Sequence, residues 1–322
     1  MKTQTLIASQ LSLALLAACG AESDQVVVEL QAHSFANSEW SEPVLVDVNS
    51  PFAEQTPTLS PDGLSLYFQS DRPDGLGVID LWVARRDCLE CAWGAPLNLG
   101  PVINGPGPDF SASLSVDGHL LFFSSNRPGG QGGIDIWVSR RADPRDDFAW
   151  GAPTNLGADV NTATADQAPM YLQSAEDGSA NLYFNRGVQA QFQSDIYYAA
   201  VTRDGETRGP AVYATELNVL GANDARATVR ADGREILFWS ARTGGLGAAD
   251  LWRSTRRSVH DAWSAPENVG APINTAFGDV TPSLSHDGRT LLFASNRPGS
   301  TPNPSGAPSL DIWLSTRTPS GR

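Results

Sequence analysis

The chain has 322 residues, 41% hydrophobic and 18% charged, a composition ordinary for globular proteins and sufficient for a large core. Its formal net charge of -14 disfavours nucleic acid and anionic lipid headgroups as partners, because phosphates are repelled.

Lys2 is a minimal positive n-region, and Leu6 to Ala18 form an apolar run too short to span a bilayer. The run ends in Leu16-Ala17-Ala18-Cys19, which resembles the lipobox of bacterial lipoproteins. That resemblance implies a signal peptide over 1–18, lipidation at Cys19 and a membrane anchor that does not cross the bilayer. Residues 19–38 then read as a flexible tether, within which Val26-Val27-Val28 is a strand candidate without a place. Gly20 stands where an aspartate marks inner-membrane retention in some bacteria, so the outer membrane is the expected location.

From Trp40 onward one pattern recurs. Asp-Gly turns stand at Ser60-Pro61-Asp62-Gly63, Ser115 to Gly118, Ala175 to Gly178, Arg230 to Gly233 and Ser285 to Gly288. A strand follows each, at Leu66-Tyr67-Phe68, Leu121-Phe122-Phe123, Leu182-Tyr183-Phe184, Ile236-Leu237-Phe238 and Leu291-Leu292-Phe293. A Gly-rich loop follows each except the third, and the next strand opens on aspartate: Asp80, Asp135, Asp195, Asp250 and Asp311. A last element begins at Trp40, Trp93, Trp150, Thr207 and Trp263, each three residues before a proline. Their spacings of 53, 57, 57 and 56 residues define five units of four short strands.

Four-stranded units repeated radially predict an all-β fold, a five-bladed β-propeller over residues 39–318 with a tail at 319–322. The phase of the repeat predicts how the ring closes. The last unit stops after the strand Asp311 to Thr316, and the chain opens with an unpaired element, Trp40 to Val48. Pairing the two removes an exposed edge. Cys88 and Cys91 lie in a polar loop between strands, where a local disulfide is expected.

The S-x-D-G turn, the run Leu121 to Gly130, the D-I-W strands and the run Trp93 to Gly100 resemble the WD-like (PD-type) repeats of TolB and of OmpA-associated periplasmic proteins. The resemblance covers about residues 40–318. It implies a TolB-like envelope lipoprotein, although TolB has six blades and an added N-terminal domain.

Strand direction puts the loops that link units and the loops after each second strand on one face. Each linking loop carries an asparagine (Asn49, Asn104, Asn161, Asn218, Asn274) and then an acid: Glu54, Asp109, Asp166, Asp224 and Asp279. Five carboxylates around one axis repel unless neutralised, so they form a candidate ligand ring, with Ca²⁺ as the possible cation. The alternative is that each acid hydrogen-bonds its own loop or a neighbouring blade. Arg226, two residues after Asp224, replaces the small residues Thr56, Ser111, Ala168 and Thr281, and is expected to neutralise part of the ring or to hold an anionic group beside it. Arginines in the other loops predict five structural pairs: Arg72 with Asp80, Arg127 with Asp135, Arg186 with Asp195, Arg242 with Asp250 and Arg297 with Asp311.

No G-x-S-x-G, H-E-x-x-H or phosphate-binding Gly-Lys loop is present. The leading expectation is a non-catalytic binding or scaffolding module for an envelope protein or glycan. The alternative is a propeller glycoside hydrolase working through acids at the channel mouth.

Overall fold

In the computed structural model, which describes residues 35, 39–188 and 193–319, each Asp-Gly turn returns the chain onto itself as an antiparallel pair. The signal peptide, Cys19, the 19–34 stretch with Val26–Val28, and residues 320–322 lie outside the described residues.

The first strand, β1 (Val44–Leu45), precedes blade 1, which is β2 (Glu54–Leu59), β3 (Ser65–Ser70), β4 (Asp80–Arg85) and β5 (Leu97–Asn98). Blade 2 is β6 (Asp109–Leu114), β7 (Leu120–Ser125), β8 (Asp135–Arg140) and β9 (Thr154–Asn155). Blade 3 is β10 (Ala165–Gln173), β11 (Ala180–Val188), β12 (Gln193–Val201) and β13 (Val212–Tyr213). Blade 4 is β14 (Asp224–Val229), β15 (Glu235–Ser240), β16 (Asp250–Thr255) and β17 (Glu267–Asn268). Blade 5 is β18 (Asp279–Leu284), β19 (Thr290–Ser295) and β20 (Asp311–Thr316), completed by β1.

The fold is a five-bladed β-propeller, closed as the repeat phase requires. Val44 pairs with Leu314 and Leu45 with Trp313, and Val46 donates its N–H to the Ile312 carbonyl at 3.0 Å. The second strand of each blade is apolar on both faces because blades pack against both sides of it. Leu66, Tyr67 and Phe68 of β3 are all fully buried. Five hydrophobic clusters fill the five blade–blade junctions. The junction between blades 5 and 1 joins Leu292 and Ile312 to Leu66 and Phe68, with Val46 and Val48 of the N-terminal segment between them.

Two repeated devices fix the inner rim. Each linking-loop asparagine clamps the third strand of its neighbour by a two-point bond, as Asn104 does to the N–H and C=O of Leu81 at 2.9 Å each. Asn49 makes the same clamp on Ile312 across the closure. Each innermost strand also carries a β-bulge, two residues facing one on the partner, at the same place in all five blades. The bulged residues Thr56, Ser111, Ala168, Arg226 and Thr281 have φ between 51° and 58°, a left-handed conformation that costs a non-glycine residue about 1 kcal/mol or more.

Cys88 and Cys91 are joined in a disulfide, with Cα atoms 5.0 Å apart. The loop it closes is also held by Arg86, stacked on the Trp93 ring at 4.3 Å and donating to the Leu89 carbonyl at 2.6 Å. So short a loop has little entropy to lose. Changing both cysteines to serine is expected to lower the unfolding free energy by no more than about 2 kcal/mol, measured by urea denaturation.

Candidate functional site

The five ring acids do not converge on a common ligand. Each is 0–1% exposed and bound within its own blade. Arg297 Nη2 lies 2.6 Å from Asp279 Oδ1, and Asp279 also accepts from the Thr275 N–H, the Thr275 hydroxyl and the Ser295 hydroxyl. Arg72 pairs with Glu54, Arg127 with Asp109, Arg186 with Asp166 and Arg242 with Asp224, at 2.6 to 2.9 Å. Each guanidinium also lies over aromatic rings of its blade, as Arg242 does over Phe238 and Trp252. Burial pushes the Glu54 and Asp166 carboxyls up, against hydrogen bonds from Ser50 to Glu54 and from Arg186 and Thr162 to Asp166, and against the charges of Arg72 and Arg186. Among the described residues no group of three or more His, Cys, Asp or Glu side chains could hold a metal ion, so the ring offers Ca²⁺ no cage. The acids hold their own loops.

The arginine pairs are therefore corrected. Arg72, Arg127, Arg186, Arg242 and Arg297 do not bind Asp80, Asp135, Asp195, Asp250 and Asp311. They reach past them to the acids of the inner strands. Burial does not choose between them, since Asp80, Asp135, Asp250 and Asp311 are as buried as the inner-strand acids; in blades 1, 2 and 4 the third-strand aspartate is already satisfied by two loop amides and an asparagine. Asp80 accepts from the N–H groups of Leu76 and Gly77, and Asn98 adds a bond at 2.8 Å. Asp135 does the same with Gln131, Gly132 and Asn155, and Asp250 with Leu246, Gly247 and Asn268.

Two blades break this arrangement. The asparagine that pairs opposite the third-strand tryptophan is Asn98, Asn155 or Asn268 in blades 1, 2 and 4. In blade 5 its place is taken by Leu45; Asp311 Oδ2 accepts from the Thr301 N–H, and Oδ1, the atom that takes a glycine N–H in blades 1, 2 and 4, is without a partner. In blade 3 its place is taken by Tyr213, opposite Tyr197.

Blade 3 goes further. It lacks the Gly-rich loop of the other blades, and β11 and β12 run on as a hairpin to the Val188–Gln193 pair, so among the described residues no turn amide bonds the aspartate. Asp195 is the one third-strand aspartate of the five that is only partly buried. Partial burial raises its carboxyl first, the charge of Asp224 raises it further, and a hydrogen bond from the Tyr213 hydroxyl opposes both. Around it, Tyr213 meets Tyr197 edge-on at 5.3 Å between centroids, and Arg186 lies over Tyr197 at 4.5 Å. Burial and the charges of Asp195, Tyr197 and Asp224 in turn raise the Tyr213 hydroxyl. Tyr213 is 39% exposed, so an aromatic edge and a carboxyl stand together at the surface. Asp224 itself is fully buried against Arg242 and acts on Asp195 through its charge.

No family model matches the chain, and no curated protein matches it. Solved structures do match in three dimensions. An α-L-arabinofuranosidase from Lactobacillus brevis aligns with a TM-score of 0.58 at 15% identity, covering 84% of this chain and 92% of that one. A thermostable family-43 glycoside hydrolase aligns at 0.57 and 12%, covering 85% and 91%. The native arabinanase Arb43A of Bacillus subtilis aligns at 0.57 and 11%, covering 82% and 94%. The chain shares the fold of five-bladed glycoside hydrolases. This corrects two expectations. The TolB-like resemblance gives way, because no family model carries it and the structural neighbours named above are glycoside hydrolases. The expectation of a non-catalytic binding or scaffolding module is also corrected, since the neighbours in fold are glycoside hydrolases. The alternative needs its own correction, since the ring acids once assigned to it are closed off by arginine.

The sequence carried a signal for the new site. The missing Gly-rich loop of blade 3 and Tyr213 in an asparagine's place were both legible, but their joint effect on Asp195 required the strand register.

Proposed function

We propose that the chain is a glycoside hydrolase whose proton donor is Asp195. The observation that carries this reading is the release of one repeat aspartate from its structural bonds, beside a buried carboxylate that stays paired with arginine. A carboxyl with a raised pKa keeps its proton to higher pH and can give it to the departing glycosidic oxygen while a water molecule bonds to the anomeric carbon and releases its own proton. Tyr197 and Tyr213 offer aromatic faces and edges of the kind that pack on sugar rings. Arabinose- and xylose-containing glycans are the substrates to test first, because the neighbours in fold include arabinofuranosidases and an arabinanase. Carried on a lipid at Cys19, the propeller would work on glycans at the outer membrane, with no nucleic-acid partner.

The test is hydrolysis of arabinan, xylan and aryl glycosides by the purified propeller. Asp195→Asn is expected to lower kcat on unactivated glycans on the order of 10²-fold. On dinitrophenyl glycosides, whose leaving group needs no proton, the same variant is expected to keep most of its rate. Equal loss on both substrate types would assign Asp195 a structural part. A folded wild-type protein that releases no sugar from any of them would remove the reading altogether.

The pH profile follows from the same residue. A proton donor is competent below its pKa, so the rate is expected to fall as pH rises through the Asp195 value, above the ordinary carboxylate range of about 4. Tyr213→Phe removes a bond that favours the ionised form. That variant is expected to move the falling limb to higher pH, as read from kcat against pH.

A further inference from the structure

Four of the five bulge residues on the inner strands are small, Thr56, Ser111, Ala168 and Thr281, and the fifth is Arg226. From blade 4 its side chain reaches across the axis. Nη2 lies 3.3 Å from the Thr58 hydroxyl of blade 1 and 3.3 Å from the Ala112 carbonyl of blade 2. The residue is 4% exposed, and Nη1, with both its hydrogens, has no hydrogen-bond partner. It does not neutralise the acid ring, which its own arginines already satisfy. No carboxylate is paired with it, and burial, unopposed, pulls its guanidinium down to about 9. A buried cation without a counter-charge is costly, and folded proteins seldom keep one uncompensated.

Beside this guanidinium lies a cavity of about 100 Å³ along the propeller axis, extending to the Asp-Gly turns at Ser60, Ser115 and Ser285. Its wall contains no Asp or Glu. Ser113 and Thr228 line it with hydroxyls that accept the N–H groups of Tyr171 and Leu284, which leaves their own hydrogens to donate. An arginine with a partnerless nitrogen and two hydroxyls with hydrogens to donate line one small space without a carboxylate. We propose that the central channel binds a small inorganic anion, with Arg226 as its counter-charge and Ser113 and Thr228 as donors. The site opens toward the Asp-Gly turns, on the face opposite Asp195, and does not depend on the hydrolase reading.

The experiment starts from wild-type protein exchanged into a buffer of bulky anions at constant ionic strength. Chloride and inorganic phosphate are then titrated separately, with melting temperature and calorimetric heat as readouts. One of the two is expected to bind one to one and to raise the melting temperature by about 5 °C near saturation. Arg226→Met is expected to abolish that response, and to melt no lower than wild type in the bulky-anion buffer because it removes an unpaired buried charge. Ser113→Ala and Thr228→Val, which keep the arginine, are expected to weaken binding several-fold. Wild-type protein that responds to neither anion, or an Arg226→Met variant that responds as wild type does, overturns the proposal. Should Arg226→Met fail to fold, unchanged affinity in both hydroxyl variants overturns it instead.

Discussion

Deleting the chain through Val48 is expected to leave no stable monomeric propeller. The deletion strips β1 from β20 and opens a row of unpaired backbone groups on the last blade. It also uncovers the junction between blades 5 and 1, where Val46 and Val48 are 6% and 2% exposed. Those two side chains alone represent about 3–6 kcal/mol of burial, comparable to the whole stability of many domains. Light scattering after size exclusion should show oligomers or aggregate, and near-ultraviolet circular dichroism should show loss of fixed packing. Moving residues 39–48 to follow Arg322 restores the strand by another covalent route, and that permutant is expected to be monomeric and folded. A truncated chain that stays monomeric with an unchanged melting temperature would contradict the closure.

Replacing Asp279 with alanine is expected to cost about 3–5 kcal/mol, because it strands the Arg297 guanidinium with a side chain only 7% exposed. The remaining carbonyl contacts, to Pro272 and Ile273, cannot balance its charge. Asp279→Asn keeps the shape and part of the bonding to Thr275 and Ser295 and should lose less. Urea denaturation of the single variants and of Asp279→Ala with Arg297→Met forms a double-mutant cycle. The double variant is expected to lose less than the sum, since no buried charge is then left alone. Asp143→Ala, which breaks the exposed pair with Arg145, is expected to leave the melting curve unchanged. Similar losses at Asp279 and Asp143 would mean that burial is not what makes the inner-rim pairs matter.

The contrast between these pairs shows where reading the chain stopped. The Asp-Gly turns, the aspartate-led strands and the proline-marked outer elements are local signals with a fixed period. They gave the blade count and the blade boundaries, and the phase of the period gave the closure at Val44–Leu45. The arginines and both sets of acids were also visible as repeats. Which acid each arginine would choose was not visible. In sequence Arg72 lies nearer to Asp80 than to Glu54, and only the folded loop shows Asp80 already satisfied by the amides of Leu76 and Gly77.

The same distinction holds for the two candidate sites. Sequence by itself determined that blade 3 lacks a loop and that blade 4 carries an arginine where its neighbours carry small residues, because substitutions within a repeat are comparisons of like with like. Only the tertiary structure decided that the missing loop frees Asp195 beside Asp224, and that Arg226 crosses to Thr58 and Ala112 instead of meeting the acids two residues away. Both outcomes depend on what surrounds a charge after burial. Adjacent blades set it for Asp195 and Asp224, and for Arg226 it is set by blades more than a hundred residues away in the chain, through desolvation and through the left-handed bulge that turns the arginine toward the axis.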